Sequence, residues 1–255
     1  MEDNKTTASA KSVDPDEIEH FSSMAETWWD PKGPFRPLHQ LNPTRIDFIK
    51  SHICDHFGRD ETCEKPLEGL RILDIGCGGG LLCEPMARLG AWVLGADAAE
   101  KNINTARVHA EQMSLEIDYR HISAEALAEQ GEKFDVILNM EVIEHVADIS
   151  SFLDACYLLL KNGGCMMLST LNRTVKSWAV AIAGAEYILR WLPVGTHDWK
   201  KFLKPSEVCS LAQSSGFSVN VIKGMVYNPL KSSWSLDDHD FSVNYVARAV
   251  KSNHG

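Results

Sequence analysis

Apolar residues recur along this chain in two alternating rhythms. Short, nearly continuous apolar runs fall at 71–75, 92–96, 117–120, 134–139, 164–170, 217–226 and 241–249, and predict seven strands. Between them, at 100–113, 148–160 and 205–215, apolar residues return every third or fourth position, the period of a helix with one buried face. Strands alternating with helices predict an α/β, Rossmann-like, mainly parallel sheet of seven strands with helices on both faces. No helix separates the last two runs, so an antiparallel hairpin is expected at one end of the sheet.

Two stretches fall outside this rhythm. Residues 1–12 are small and polar, and disorder is expected there. Asp14-Pro15 then reads as an N-cap and first-turn proline, followed at helical spacing by Ile18, Phe21, Ala25 and Trp28. "WWDPKGPFRPLH" breaks that helix, and a second is expected from Asn42-Pro43 through Ile46, Ile49 and Ile53. Residues 13–60 together predict an N-terminal helical lid, and 173–204 a helical insertion after the fifth strand, too long for an ordinary connection. One domain is expected over 13–250, with a tail at 251–255.

Composition narrows the function classes. The net charge is −10, which opposes broad binding to nucleic acid. Cysteines 54, 63, 77, 83, 156, 165 and 209 make no C-x-x-C pair, and read as reduced thiols. The N-terminus shows neither an apolar signal core nor the arginines of a transit helix, and no apolar run reaches membrane-spanning length. A cytoplasmic location is expected.

The chemistry concentrates in "RILDIGCGGGLLCEPMARLG". An apolar strand, a turn with Gly76, Gly78, Gly79 and Gly80, and a helix start together form a nucleotide-type pocket, because glycine lets a ligand approach the backbone. Leu81 stands where a dinucleotide fingerprint needs its third glycine, and no G-K-[ST] follows. Asp97 ends the second strand, where a carboxylate either accepts both ribose hydroxyls of an adenosine or caps the next helix. Met140 either packs on a purine or is plain core, and Ser123-Ala124-Glu125 sits where an adenine edge could be read. Pro85 requires the helix after the turn to begin late or to bend.

Glu141, Glu144 and His145 stand at i, i+3 and i+4 after the fourth strand and, if helical, share one face. Three readings follow: ligands of a divalent cation such as Mg²⁺, a metal-free site with His145 or Glu144 as general base, or a solvated first helical turn. His197 in "GTHDW" is a second candidate base or substrate contact.

"LDIGCGGG", "GAD" and "FDVILNMEVIEHV" resemble the class I S-adenosylmethionine-dependent methyltransferases. "WWDPKGPFRPLHQLNPTR", "STLNRTVKSW", "GAEYILR", "GTHDWKKFLKP" and "YNPL" are similar, over residues 13–250, to the ubiquinone-biosynthesis O-methyltransferases within that class. The resemblance implies methylation of catechol-type hydroxyls on polyprenylated phenol and quinol intermediates, at two steps. It implies that Arg45, Gly76, Asp97 and Met140 bind S-adenosylmethionine, with Arg45 on the methionine carboxylate, and that Gly78 lies along the methionine part. It also implies that Asp74 orients the amino group, and that Glu141, Glu144 and His145 ligate a metal. A neutral phenol, of pKa about 10, needs a base or a cation to become a nucleophile. Another small-molecule O- or C-methyltransferase, or a catalytically idle scaffold for pathway enzymes, stays open as an alternative.

A polyprenyl tail has to be drawn from a bilayer, and 177–192 offers apolar residues including Trp178, Trp191 and Leu192. Across 173–204 the basic residues Arg173, Lys176, Arg190, Lys200, Lys201 and Lys204 outnumber Glu186 and Asp198. The expectation is peripheral contact of this segment with an anionic membrane surface, or a lid buried over the substrate ring.

Overall fold

The computed structural model describes residues 12–179 and 199–252. A single sheet of eight strands runs through it in the order β3-β2-β1-β4-β5-β8-β6-β7. The strands are β1 (Arg71–Ile75), β2 (Trp92–Asp97), β3 (Asp118–His121), β4 (Phe134–Met140), β5 (Leu160–Leu171), β6 (Phe217–Asn228), β7 (Ser233–Asp237) and β8 (Asn244–Lys251). Pairing is parallel from β3 to β5, while β8 is antiparallel to both β5 and β6, and β7 antiparallel to β6. The expected seven strands are thus corrected to eight. β7 was not visible because Ser233, Ser235 and Asp237 are exposed and only Trp234 and Leu236 turn inward, leaving no apolar run.

The helices are α1 (Pro15–Ser23), α2 (Arg36–Phe57), α3 (Cys83–Arg88), α4 (Glu100–Gln112), α5 (Ala124–Glu129), α6 (Ile149–Leu159), α7 (Val175–Ser177) and α8 (Pro205–Ser214). Alternate strand residues face opposite cores. Ile72, Val136 and Met167 pack with Phe48 and Ile53 of α2, Met86 of α3 and Ile103 of α4. Leu73, Ile137 and Met166 pack with Leu127 of α5, Phe152 of α6 and Val208 of α8. Each such fully buried aliphatic side chain contributes about 1.5–3 kcal/mol. Helices therefore cover both faces, as the alternating rhythm requires.

Asp14 caps α1 by accepting from Asp16 N at 3.1 Å. α2 begins at Arg36 rather than at Asn42-Pro43, and Pro43 lies inside it. Pro37 near its first turn supplies the helix start that the sequence reading assigned to Pro43. The second half of α2 belongs to the main core, so residues 13–60 are not all peripheral to the sheet. α3 begins at Cys83, which leaves Pro85 within the first turn, where its missing N–H costs no helical bond.

Two boundaries also move. Ser12 is buried and its carbonyl accepts from Ala147 N at 2.9 Å, and Lys251 belongs to β8, so neither is part of a loose end. Residues 1–11, 180–198 and 253–255, and with them His197, Trp191 and Leu192, lie outside the described residues. Among the described residues no helix is long and apolar enough to cross a membrane.

Candidate active site

The turn after β1 carries Gly76 at φ 67° and Gly78 at φ 53°, both in the left-handed region that favours glycine. A Cβ on Gly76 would meet Val142 Cγ2 at 2.6 Å, and one on Gly78 or Gly79 would overlap the indole of Trp28. Trp28 stacks on Phe35 at 3.6 Å, and the next residue, Trp29, donates from Nε1 to Gly79 O at 2.9 Å. The segment between α1 and α2 therefore lies directly on the glycine turn.

Asp97 stands at the end of β2, as predicted, and takes the capping role weighed for it while also holding the glycine turn. Its Oδ2 accepts from Gly78 N at 2.9 Å, while Oδ1 accepts from Ala99 N at 2.7 Å and Asn102 Nδ2 at 3.3 Å, ordering the start of α4. Burial raises its pKa, against the pull of these donors. Asp74 is buried beside the turn and accepts from Cys83 Sγ at 3.1 Å. Burial pushes its carboxyl up to about 7, partly opposed by the Cys83 bond and by the charge of Arg45. Arg45, on α2, donates from Nη2 to Asn42 Oδ1 at 2.8 Å, and its Nε has no partner among the described residues. Burial lowers the Arg45 pKa, and the charges of Glu141 and Asp74 oppose that shift.

Glu141, Glu144 and His145 do not share a helical face. Glu141 is itself left-handed, at φ 59°, and only Ile143–His145 form a single 3₁₀ turn. Each side chain goes to its own partner. Glu141 Oε1 accepts from Ser169 Oγ at 2.7 Å, Glu144 Oε2 accepts from Thr170 Oγ1 at 2.9 Å, and His145 Nδ1 meets Glu17 Oε2 at 3.1 Å. Among the described residues no three His, Cys, Asp or Glu side chains gather as a metal-holding group. As arranged, these residues do not fit the cation reading. The hydroxyls of β5 and the carboxylate of α1 turn the three side chains toward different partners instead of one point.

Glu17 was not singled out in the sequence. Burial alone would raise its carboxyl, but hydrogen bonds from His145 and Lys201, and their charges, hold it down at about 2. Lys201 Nζ reaches Glu17 at 2.9 Å and Asp14 at 3.2 Å.

One cavity of about 580 Å³ joins these parts. Gly76, Gly78, Asp97, Met140, Glu141, Glu144 and His145 lie on its wall, as do Ser123 and Ala124, while Arg45 and Asp74 are buried and not part of that wall. Met140 is core as well as wall, and Ser123 caps α5 by accepting from Ala126 N at 3.3 Å. The cavity sits where the sheet order reverses between β1 and β4, the usual ligand crevice of such sheets.

Residues 58–220 match the family model of a methyltransferase domain. Over 245 residues, covering 96% of this chain and 99% of the relative, the sequence is 58% identical to the ubiquinone biosynthesis O-methyltransferase of Dinoroseobacter shibae. The chain belongs to that family of O-methyltransferases. The enzyme of Ruegeria pomeroyi is equally similar, at 58% over 244 residues, 96% of this chain and 98% of the relative. Among solved structures, a possible histamine N-methyltransferase from Thermotoga maritima shares the fold with a TM-score of 0.64, at 19% identity, over 93% of this chain and 99% of that one. The magnesium protoporphyrin IX methyltransferase of Synechocystis with bound S-adenosylmethionine gives 0.55 at 18% identity, over 91% and 97%.

This O-methyltransferase thus depends on S-adenosylmethionine, and its residues fit that group. Gly76 and Gly78 stand on the cavity wall, and the Asp97 oxygens keep lone pairs beyond the bonds they accept. Arg45 also holds a buried, unpartnered N–H in reserve.

Proposed function

We propose that this O-methyltransferase methylates catechol-type hydroxyls of polyprenylated ring intermediates, serving both the polyprenyl-dihydroxyphenol and the demethylubiquinol steps. The observation that carries this reading is the single cavity, which runs from Gly78 and Asp97 past His145 to an apolar wall at Leu171, Tyr227 and Val243. Such a cavity has room for a nucleoside and a ring together. S-adenosylmethionine, when bound, supplies an electrophilic methyl group. Asp97 is assigned to the ribose, Met140 to the purine face, and the backbone at Gly76 and Gly78 to the methionine part. Arg45 is assigned to the methionine carboxylate through Nε, and Asp74 to the amino group.

His145 is the base. With its Nδ1 proton donated to Glu17, Nε2 keeps a lone pair to draw the proton from the acceptor hydroxyl, an arrangement in which a third group orients the base. Glu144, held by Thr170, supplies negative charge that favours the imidazolium His145 becomes on taking the proton. A divalent cation would instead need Glu141 to leave Ser169 and His145 to leave Glu17. His197 stays a proposed second contact with the acceptor. Methyl transfer to a short-tail catechol, run with and without chelator, separates these readings. Turnover that survives chelation and is lost in His145→Gln supports the base. Turnover lost on chelation and restored by Mg²⁺ would overturn it in favour of the cation.

The enzyme is further proposed to work as a peripheral protein at the cytoplasmic membrane face through 173–204. Val175 and Trp178, at the described start of that segment, are exposed apolar residues. The charge argument is weaker than the sequence alone implied. Arg173 pairs with Glu207, Lys176 with Asp240, and Lys201 with Asp14 and Glu17, so much of the local positive charge is answered within the fold. Apolar insertion carries the reading.

A further inference from the structure

Of the buried polar side-chain atoms without a hydrogen-bond partner among the described residues, two belong to residues on the cavity wall: Trp234 Nε1 and Asn244 Oδ1. An unmet buried donor or acceptor costs about 1–3 kcal/mol, so a ligand that satisfies it gains selectivity. The two atoms are complementary, since an indole N–H can only donate and an amide oxygen can only accept.

Strand register places them on one face of the sheet, on the two strands that flank β6. Asn244 opens β8 opposite Met225 of β6, and Trp234 on β7 lies opposite Tyr227 of β6, two residues along from Met225. Residues directly opposite, and residues two apart on one strand, share a sheet face, so Asn244, Met225, Tyr227 and Trp234 all lie on the same side. The Tyr227 and Trp234 rings pack at 5.2 Å. Thr44 Oγ1 of α2 donates to Trp234 O at 3.3 Å, tying this edge of the sheet to the helix that carries Arg45. Asp97 and the glycine turn lie on the β1–β2 side of the switch between β1 and β4, and the Trp234–Asn244 pair on the far side. A nucleoside on the first side leaves the second to the acceptor.

We propose that Trp234 and Asn244 bind the ring hydroxyl that the reaction leaves unmethylated. That hydroxyl donates its proton to Asn244 Oδ1 and accepts from Trp234 Nε1–H, which directs the neighbouring hydroxyl toward His145. This rests on the catechol reading above, and names the two positions that select a ring with a second oxygen over a simple phenol.

The test crosses each variant with each acceptor. Trp234→Phe keeps a ring without the donor, and Asn244→Leu keeps the volume without the acceptor. Affinity is read for a short-tail catechol and for the matching monophenol, the latter as a competitor, alongside S-adenosylhomocysteine titration. Each variant should weaken the catechol by about tenfold, leave the monophenol within about twofold, and leave nucleoside binding unchanged. Equal losses for both acceptors would assign these residues to structure, and no loss for either would remove them from the subsite; both results overturn the proposal. A wild-type enzyme that binds S-adenosylhomocysteine yet methylates no catechol would overturn the substrate reading itself. Should Asn244→Leu fail to fold, Trp234→Phe with the two acceptors still decides.

Discussion

Arg45 is enclosed by protein, yet one of its N–H groups has no partner among the described residues and the carboxylates of Asp74 and Glu141 stand near. A guanidinium held so is prepared for one more anion, and hydrogen bonds to charged groups contribute about 1.5–3 kcal/mol. Arg45→Met should therefore weaken S-adenosylhomocysteine by roughly tenfold to a hundredfold, read by isothermal titration. Unchanged affinity would confine Arg45 to offsetting its two acidic neighbours. At this scale the sequence was informative where chemistry is local. Gly76, Gly78, Asp97 and Met140 sit on the cavity wall because a strand, a tight turn and the next strand end place them there. Glu17, Trp234 and Asn244 could not be found that way. Each reaches the cavity through packing between distant parts of the chain, and nothing in its neighbours marks it.

α1 is fastened to the cavity wall by Glu17, through His145 on one side and Lys201 on the other. The carboxyl is depressed from 4.5 to about 2, so the contact contributes its stability above pH 4.5 and loses it as pH falls toward 2. Tryptophan fluorescence, to which Trp28 and Trp29 after α1 contribute two of seven indoles, should change across that acid window in the wild type. In Glu17→Gln the change should be absent and kcat lowered at neutral pH, because the imidazole loses its orienting carboxylate. A transition that persists in the variant would place the acid-sensitive group elsewhere. α4, α6 and α8 matched the hydrophobic period to within a residue or so, since one face of each is continuously buried. The start of α2 was misplaced because a proline signals a first turn wherever it stands, and this helix has one at each of two sites. The Glu141–His145 stretch was misjudged for a different reason. Its spacing suits a helix, but the left-handed Glu141 and the hydroxyls of β5 hold it in another shape.

The whole chain carries a net charge of −10, and the basic residues described near its proposed membrane face are largely paired internally. Binding to vesicles should therefore depend on the exposed apolar side chains Val175 and Trp178 more than on ionic strength. Val175→Asp with Trp178→Asp should reduce co-sedimentation with anionic vesicles severalfold while leaving the fold intact by circular dichroism. Loss of binding in moderate salt alone would restore charge as the cause. The layered architecture was legible because both sheet faces are buried, so strands and helices each keep a clean period. The eighth strand was not, since an edge strand with one exposed face carries little apolar signal. The two indoles resting on the glycine turn have a last consequence. Trp28 already fills the space that a methyl group on Gly78 or Gly79 would take, so an alanine at either position has to push the indole off the turn and loosen the chain that joins α1 to α2.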